Sequence, residues 1–373
     1  MSGAAPRIWI SAGEPSGDLH GARVVRALKQ RFPGAVIGGV GGPRMAAEGA
    51  ELSARMEGLS AFGFSEIVAK IPAHLRLLRE IRREFAVGKW DLVILIDYPG
   101  FHLRVARAAK RAGLKVLYYI APQLWAWAPG RAAKFRPVVD EIAVVLPFEA
   151  EFFAGVGIRA EYVGHPLVDR EPWPDRVAAR AALTLPADAR VLGIFPGSRT
   201  QEIERIWPLF RSVAQQMLKE GRCSHAVVAG TADGRYPNPG PITIHRADPI
   251  PVFVASDAAL AKSGTTTLEA ALADTPMVVA YLTSPGSYLI ARALIFSKWI
   301  SLVNLVAGRE VVPEFWRRPV RGQALADALR PLLDPDSAEA RAQHQGLAEV
   351  SRRLGQPGAA GRVAAIAADL LGA

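Results

Sequence analysis

The feature of this 373-residue chain that most constrains its fold is a repeated alternation of short apolar runs and helical patterns. Near-continuous apolar runs between helices are typical of a parallel sheet that is covered on both faces. The first series has apolar runs at 7–12, 35–41, 91–97, 115–120 and 141–146, a weaker one at 160–164, and helical patterns at 17–31, 65–86 and 101–112. The alternation therefore predicts an α/β fold.

The alternation restarts after residues 163–175, a segment rich in proline and charge that we interpret as a linker. The second series has apolar runs at 190–197, 225–230, 241–245, 257–264 and 276–281, and helical patterns at 199–219 and 265–273. A helix and then a buried strand are predicted within 288–306. Because the chain is too long for one typical core, we predict two Rossmann-like domains, 1–168 and 169–345, facing a cleft. A helical C-terminal segment, 346–373, is expected to pack back on an N-terminal domain.

Composition restricts the compartment and the class of partner. Cys223 is the single cysteine, which excludes internal disulfides and cysteine-rich metal sites and favours the cytoplasm. The N-terminus has no apolar run typical of a signal peptide, and no uninterrupted apolar run has transmembrane length. The net charge of +10 favours an anionic partner, namely a nucleic acid, a phosphorylated substrate or an acidic lipid.

A glycine-rich loop directly follows the first apolar run. In SAGEPSGDLHGA, Gly13, Gly17 and Gly21 are spaced four apart, which matches neither the dinucleotide fingerprint nor the phosphate loop. The context is nevertheless a strand, a glycine loop and a helix. This loop is therefore predicted at the carboxyl edge of the sheet, where open α/β folds bind ligands.

Two loops of the second domain are suited to an anion. In FPGSR, Ser198 and Arg199 come at the start of a helix, where free N–H groups and the helix dipole favour negative charge. In AKSGTTTLEAAL, Thr265 and Thr266 suit a pyrophosphate, and Glu269 suits the hydroxyls of a ribose. The pair of loops predicts a site for a nucleoside diphosphate, although ordinary capped helices would give a similar pattern.

Two features of the first domain suggest sugar chemistry. Asp97 ends a buried run, where partial desolvation raises the pKa of a carboxyl group and suits it to act as a general base. A helix cap or an arginine partner is the alternative role. The aromatic stretch 118–131 suits stacking on a sugar or a base, or packing in a core.

The segment 58–85 combines apolar residues at helical spacing with several arginines. Basic amphipathic helices lie on anionic membranes. The alternative is an amphipathic helix that covers the sheet.

Taken together, these motifs resemble the lipid-A-disaccharide synthase family. The resemblance rests on motifs that occur in the family's order along nearly the whole chain: SAGEPSGDLHGA, GGPRM, IDYPGFH, WAW, GHPLVD, PGSRTQEI, KSGTTTLEAAL, PMVVAY and NLVAGREVVPEF. It implies a two-domain glycosyltransferase of the GT-B type. Such an enzyme transfers a diacylated glucosamine from UDP to 2,3-diacylglucosamine 1-phosphate, called lipid X. It forms the β-1,6-linked lipid A disaccharide 1-phosphate and UDP, at the cytoplasmic face of the inner membrane.

The resemblance also implies roles for individual residues. Asp97 would be the general base that deprotonates the 6-hydroxyl of the acceptor. The acceptor-side loop would consist of Gly13, Glu14, Ser16 and Gly17, and the UDP or donor site of Ser198, Arg199, Gly264, Thr265, Thr266, Glu269, Asn304 and Glu314. No acidic pair such as D-x-D is placed to hold a metal, so we expect no metal, and we expect no cofactor. We expect peripheral association with the anionic membrane surface, no nucleic acid, and a homodimer as one candidate assembly.

Two alternatives remain at this point. Another GT-B enzyme that uses UDP-N-acetylglucosamine, an epimerase or the peptidoglycan N-acetylglucosaminyltransferase, would share the nucleotide site but not the GEPSGD and WAW loops. A basic docking protein without catalysis would bind nucleic acid with a steep salt dependence, although no nucleic-acid-binding motif is present.

Overall fold

The computed structural model describes residues 5–55, 64–170, 173–282, 297–316 and 319–373. The chain forms two compact units, Met1–Asp169 with Gln356–Ala373 (unit 1) and Arg170–Gly355 (unit 2). The predicted boundary at 345/346 falls inside one helix, Ala338–Arg353, which belongs to unit 2 and packs on other helices of that unit. The chain therefore returns to unit 1 after this helix.

Unit 1 is built on a parallel sheet with the strand order β3-β2-β1-β4-β5-β6-β7. Its strands are β1 (Arg7–Ala12), β2 (Val36–Gly41), β3 (Glu51–Arg55), β4 (Leu92–Ile96), β5 (Lys115–Tyr119), β6 (Glu141–Val144) and β7 (Ala160–Tyr162). Its helices are α1 (Pro15–Arg31), α2 (Pro43–Ala47), α3 (Phe64–Ala86), α4 (Pro99–Arg111), α5 (Leu124–Trp127) and α6 (Glu149–Gly155), with a 3₁₀ turn at Pro129–Lys134. The order is the doubly wound Rossmann arrangement.

Unit 2 repeats this arrangement in the parallel order β10-β9-β8-β11-β12-β13. Its strands are β8 (Val191–Phe195), β9 (His225–Ala229), β10 (Thr243–His245), β11 (Ala258–Lys262), β12 (Met277–Ala280) and β13 (Glu314–Phe315). Its helices are α7 (Arg176–Ala182), α8 (Thr200–Lys219), α9 (Ile250–Ala255), α10 (Thr266–Leu272), α11 (Leu302–Ala307), α12 (Gly322–Leu332) and α13 (Ala338–Arg353). The predicted α/β class with Rossmann-like sheets is confirmed.

The last helix, α14 (Ala359–Leu371), belongs to unit 1, where it packs on α1 and on the central strands. Two hydrogen bonds fix its start: the Gly358 N–H donates to Asp169 Oδ1 at 2.6 Å, and Arg362 Nε donates to the Val163 carbonyl at 2.7 Å. The residues that precede unit 2 are therefore packed, and the part of 163–175 that lies in unit 1 is not a free linker.

Two elements differ from the sequence prediction. Strand β3 was not predicted, because ELSAR lacks a β-branched run; it lies at the sheet edge, where burial does not demand one. The strand predicted toward the end of 288–306 is wrong, since Leu302–Ala307 is a helix. Its Ser301 hydroxyl accepts the Val303 N–H, and Gly308 ends it with a φ of 70°. The first part of that prediction falls on 283–296, outside the described residues.

Candidate active site

The candidate site of unit 1 lies where the strand order reverses. β1 and β4 are adjacent and pair from Ile8 and Leu92 up to Ala12 and Ile96, so the loops that follow them emerge side by side. Open α/β sheets bind ligands at the carboxyl ends of the strands at this switch point. The predicted acceptor loop follows β1 and Asp97 follows β4. The structure therefore brings both groups of residues to one edge of the sheet.

Gly13 is required by a close contact with the loop after β4. A Cβ at this position would lie 2.4 Å from Cγ of Tyr98, so only glycine lets the ring pack against the backbone. Gly17 in α1 faces β1, and a Cβ there would lie 3.2 Å from the Ala12 Cβ. Glu14 is half-buried, whereas Ser16 in the first turn of α1 is exposed. Gly13 and Gly17 therefore shape the site, while Glu14 and Ser16 supply its polar groups.

The Asp97 carboxyl group has the properties expected of a base. Burial raises its pKa and the nearby negative charge of Glu14 raises it further, whereas a hydrogen bond from the Tyr98 N–H lowers it. The same two causes, burial and Glu14, raise the pKa of the Tyr98 hydroxyl. Glu14, Asp97 and Tyr98 thus interact in one partly desolvated region, where a carboxylate binds a proton more readily than in water.

The WAW segment is anchored by a buried acid that sequence reasoning missed. Trp125 Nε1 donates to Glu149 Oε1 at 3.0 Å, and the Leu146 N–H donates to Glu149 Oε2 at 3.1 Å. Burial raises the pKa of Glu149 to about 7 despite these donors. The Trp125 ring meets Phe148 edge-on at 4.9 Å. An apolar aromatic face with a fixed indole is consistent with the sugar-stacking interpretation and equally with packing.

Unit 2 has a second switch point, between β8 and β11, where Phe195 pairs with Ala261. The loops 196–199 and 263–265 leave the sheet next to each other. The N-cap positions are Arg199 for α8 and Thr265 for α10, and neither side chain caps its helix. Ser198 precedes the N-cap position of α8 and is exposed.

The missing caps leave backbone donors available. Within the described part of the chain, the N–H groups of Gly197, Ser198, Thr200, Gln201 and residues 264–266 donate no hydrogen bond. Gly264 adopts a φ of 148°, which only glycine tolerates readily. Two adjacent loops with unused donors form a surface suited to the oxygens of a diphosphate.

Lys262 and Glu202, which the sequence analysis did not select, also lie at this surface. Lys262 ends β11 with 17% of its side chain exposed, and its Nζ lies 2.9 Å from Glu202 Oε1. Arg199 lies 3.6 Å from the same oxygen, and Lys262 also faces the Tyr281 ring at 5.2 Å. Glu202 therefore holds two cations beside the PGSR loop. The sequence offers little indication of a role for Lys262, because no phosphate-loop motif surrounds it.

The Glu269 carboxylate forms an ion pair with Arg170 in the structure. Its Oε1 lies 2.7 Å from Arg170 Nη1, and burial raises the pKa of Glu269 although Arg170 lowers it. The carboxylate sits one turn into α10, as predicted, with Thr265 and Thr266 at the start of that helix. A ribose would therefore share this carboxylate with the arginine.

The late loop is held from inside by Asn304 and Glu314, the two residues of this loop that were expected at the donor. Asn304 is fully buried, its Nδ2 donates to the Val312 carbonyl and to Glu314 Oε1, and its Oδ1 accepts two backbone N–H groups. Glu314 also accepts the N–H groups of Ile300 and Ser301 at 2.8 and 3.0 Å. With these groups occupied, both side chains organise the loop.

Helix α3 has two different halves. Its C-terminal turns pack on the sheet through Leu78, Ile81 and Phe85, which confirms that the helix covers the sheet there. Ile71 and Leu75 are instead 47% exposed each, and the neighbouring arginines Arg76, Arg79, Arg82 and Arg83 are exposed as well. Residues 58–63 of the predicted amphipathic segment lie outside the described residues.

The described ranges contain no group of three or more His, Cys, Asp or Glu side chains that could hold a metal ion. None of the helices in those ranges is long and apolar enough to cross a membrane.

Solved structures resemble the chain in fold. A putative UDP-N-acetylglucosamine 2-epimerase from Listeria monocytogenes matches with a TM-score of 0.66 at 12% identity, covering 98% of this chain and 96% of that one. The glycotransferase of kitacinnamycin matches with a TM-score of 0.63 at 17% identity, covering 99% and 100%. At such identities the likeness shows the fold alone, which is that of two-domain GT-B glycosyltransferases.

Sequence relatives show the family. The lipid-A-disaccharide synthase of Myxococcus xanthus is 39% identical over 376 residues, which cover 98% of each chain. The family described as lipid-A-disaccharide synthetase matches residues 8–362. Because both matches extend over nearly the whole sequence, the chain belongs to the lipid-A-disaccharide synthetase family of glycosyltransferases.

Proposed function

We propose that this enzyme transfers a 2,3-diacylglucosamine unit from UDP to the 6-hydroxyl of 2,3-diacylglucosamine 1-phosphate and releases UDP. The observation that carries the proposal is the family match across residues 8–362. The positions of the motif loops support it, since they lie at the switch points of both sheets. An axial donor and a β product are consistent with a single inverting displacement.

Unit 1 has the groups needed to activate the acceptor. Asp97 is the proposed general base, which takes the proton of the 6-hydroxyl as the oxygen attacks. Its raised pKa, caused by burial and by Glu14, makes it a stronger base than an exposed aspartate. The loop with Gly13, Glu14, Ser16 and Gly17 would border the acceptor. Ser16 is exposed and able to donate or accept a hydrogen bond.

Unit 2 has the groups needed to stabilise the leaving group. The N–H groups of Gly197, Ser198, Thr200, Gln201 and residues 264–266 would bind the diphosphate. Arg199 and Lys262 would neutralise the charge that develops as the glycosidic bond to UDP breaks. Such fixed donors and cations stabilise a leaving group without reorganising. Glu269 would bind the ribose hydroxyls together with Arg170.

The exposed half of α3 supports association with the anionic surface of the inner membrane. Ile71 and Leu75 are available for insertion between lipids, and the exposed arginines of the helix suit acidic head groups. Both proposed substrates carry acyl chains, so an enzyme that acts on them benefits from being held at the bilayer.

The direct test incubates purified enzyme with UDP-2,3-diacylglucosamine and lipid X in mixed micelles. We expect disaccharide 1-phosphate and UDP in equal amounts, and calorimetric binding of UDP. Asp97→Asn should lower kcat on the order of a hundredfold or more while leaving UDP binding intact. Turnover of UDP-N-acetylglucosamine without acyl chains, and none of the acylated pair, would contradict the proposal and favour an epimerase.

A further inference from the structure

The backbone after β4 has an unusual conformation. Asp97 and Tyr98 are consecutive non-glycine residues with positive φ, each at 51°. L-residues visit this left-handed region rarely, and such residues persist only where the surroundings hold them in place. The Asp97 N–H is fixed by the Tyr119 carbonyl at 3.0 Å, as a continuation of the sheet. The Asp97 carbonyl has left the sheet and needs other partners.

Two side chains donate to that one carbonyl. Tyr118 donates its hydroxyl hydrogen to the Asp97 oxygen at 2.6 Å, and His102 Nδ1 lies 2.7 Å from the same oxygen. Because a carbonyl only accepts, Nδ1 must carry the hydrogen. His102 Nε2 then accepts the Ser11 hydroxyl at 2.9 Å. All three side chains are buried, and burial lowers the pKa of His102 to about 4, so the ring is neutral near pH 7.

The Ser11–His102 pair is not a hydrolytic dyad. Ser11 has 1% of its surface exposed, and the imidazole is oriented by a backbone carbonyl. The hydrogen bonds connect Ser11 of β1, through His102, and Tyr118 of β5 to the backbone carbonyl of Asp97. Their geometric effect is to fix the orientation of the Asp97–Tyr98 peptide group.

We propose that His102 and Tyr118 are positioning residues for glycosyl transfer, which clamp the Asp97 carbonyl and thereby hold the carboxylate in its reactive orientation. The inference rests on the proposed role of Asp97 as the base. If the clamp is released, the peptide group rotates out of the left-handed region. The Tyr98 N–H then no longer supports the carboxylate, and the distance to the Glu14 charge changes.

The test uses full-length enzyme and variants that differ in one donor. Tyr118→Phe removes the hydroxyl and retains the ring that packs on Phe135. His102→Gln places its amide near the Nε2 position and loses the Nδ1 donor. His102→Asn places an N–H near the Nδ1 position and serves as the matched rescue. The readouts are kcat, KM and the titration of the Asp97 carboxyl carbon by NMR, identified with Asp97→Asn.

Each single loss of a donor should lower kcat about three- to tenfold, and the double variant about thirtyfold or more, with KM changed less than about twofold. The Asp97 titration and the acid limb of the pH–rate profile should shift together, and His102→Asn should restore both. A folded double variant with unchanged kcat and titration overturns the clamp. If the titration shifts while Asp97→Asn is fully active, the base assignment fails, and the positioning role is overturned with it.

Discussion

Gly13 offers the sharpest test of how the two loops of unit 1 depend on each other. Replacing it by alanine would put a Cβ 2.4, 2.5 and 2.9 Å from three ring atoms of Tyr98. Non-bonded carbon atoms settle about 3.5–4.0 Å apart, so the ring or its loop must move by roughly 1 Å. Gly13 is not among the glycines with positive φ, so the effect is steric and involves no backbone strain.

The displaced ring belongs to the residue that follows the proposed base. Tyr98 is also tied to α3, because its hydroxyl lies 2.7 Å from His74 Nε2, so the ring cannot move alone. Overpacking of this kind costs about 1–3 kcal/mol of folding free energy. A misplacement of about 1 Å at a reacting group costs on the order of a hundredfold in rate. Gly13→Ala should therefore lose far more activity than stability.

Gly100→Ala is the matched control. Gly100 lies two residues beyond Tyr98 in the first turn of α4, is exposed, and has no atom within 4 Å of the position of an added Cβ. The assay is kcat with UDP-diacylglucosamine and lipid X, alongside urea denaturation of both variants. Gly13→Ala with a kcat within about twofold of that of Gly100→Ala would refute the steric coupling.

Three further predictions concern other parts of the chain. Lys262→Met removes a largely buried cation from the proposed diphosphate site and should weaken UDP binding about tenfold or more by calorimetry; an unchanged Kd would exclude it as a ligand. Ile71→Ser with Leu75→Ser should abolish most sedimentation with anionic vesicles, whereas Val87→Ser, at a position that is more exposed but lies just beyond α3, should not; equal losses would contradict the proposed surface. Because the pKa of Glu149 is raised to about 7 in the folded state, its stabilising effect is complete below the unfolded value and is lost as the pH rises through 7. Glu149→Gln should remove a pH dependence of about 3 kcal/mol from the free energy of unfolding between pH 4.5 and 7, and a parallel curve for both proteins would argue against it.

Much of the sheet architecture follows from the sequence for a simple reason. Strands buried on both faces must be apolar throughout, so LVILI in β4 and VLGIF in β8 are evident without a structure. Parallel order then places the loops after them at one edge. Asp97 and the PGSR loop are therefore found from strand ends alone.

The side-chain partners could not be found in this way. Lys262 and Glu202 are 60 positions apart, and Asn304 pairs with Glu314 across a loop. A sequence motif contains only one partner of such a pair, so it does not reveal the other. Family motifs do not distinguish residues that touch a ligand from residues that hold a loop. The complete burial of Asn304 and its hydrogen bonds within the loop could be seen only in the structure.

The GEPSGD motif contains two acids with different roles, four positions apart. Asp18 is buried, and its carboxylate accepts the N–H groups of Gly42 and Met45 at the start of α2, which joins this motif to GGPRM. A Cβ at Gly42 would lie 2.6 Å from that carboxylate, so the glycine is needed for the cap. Glu14, four positions earlier, is the N-cap residue of α1, but its side chain makes no cap hydrogen bond. Its negative charge instead raises the pKa of Asp97. Of the two acids in the motif, Asp18 therefore builds the edge of the sheet, and Glu14 raises the pKa of the proposed base. Asp18→Asn should accordingly lower the melting temperature, whereas Glu14→Gln should shift the acid limb of the pH–rate profile to lower pH.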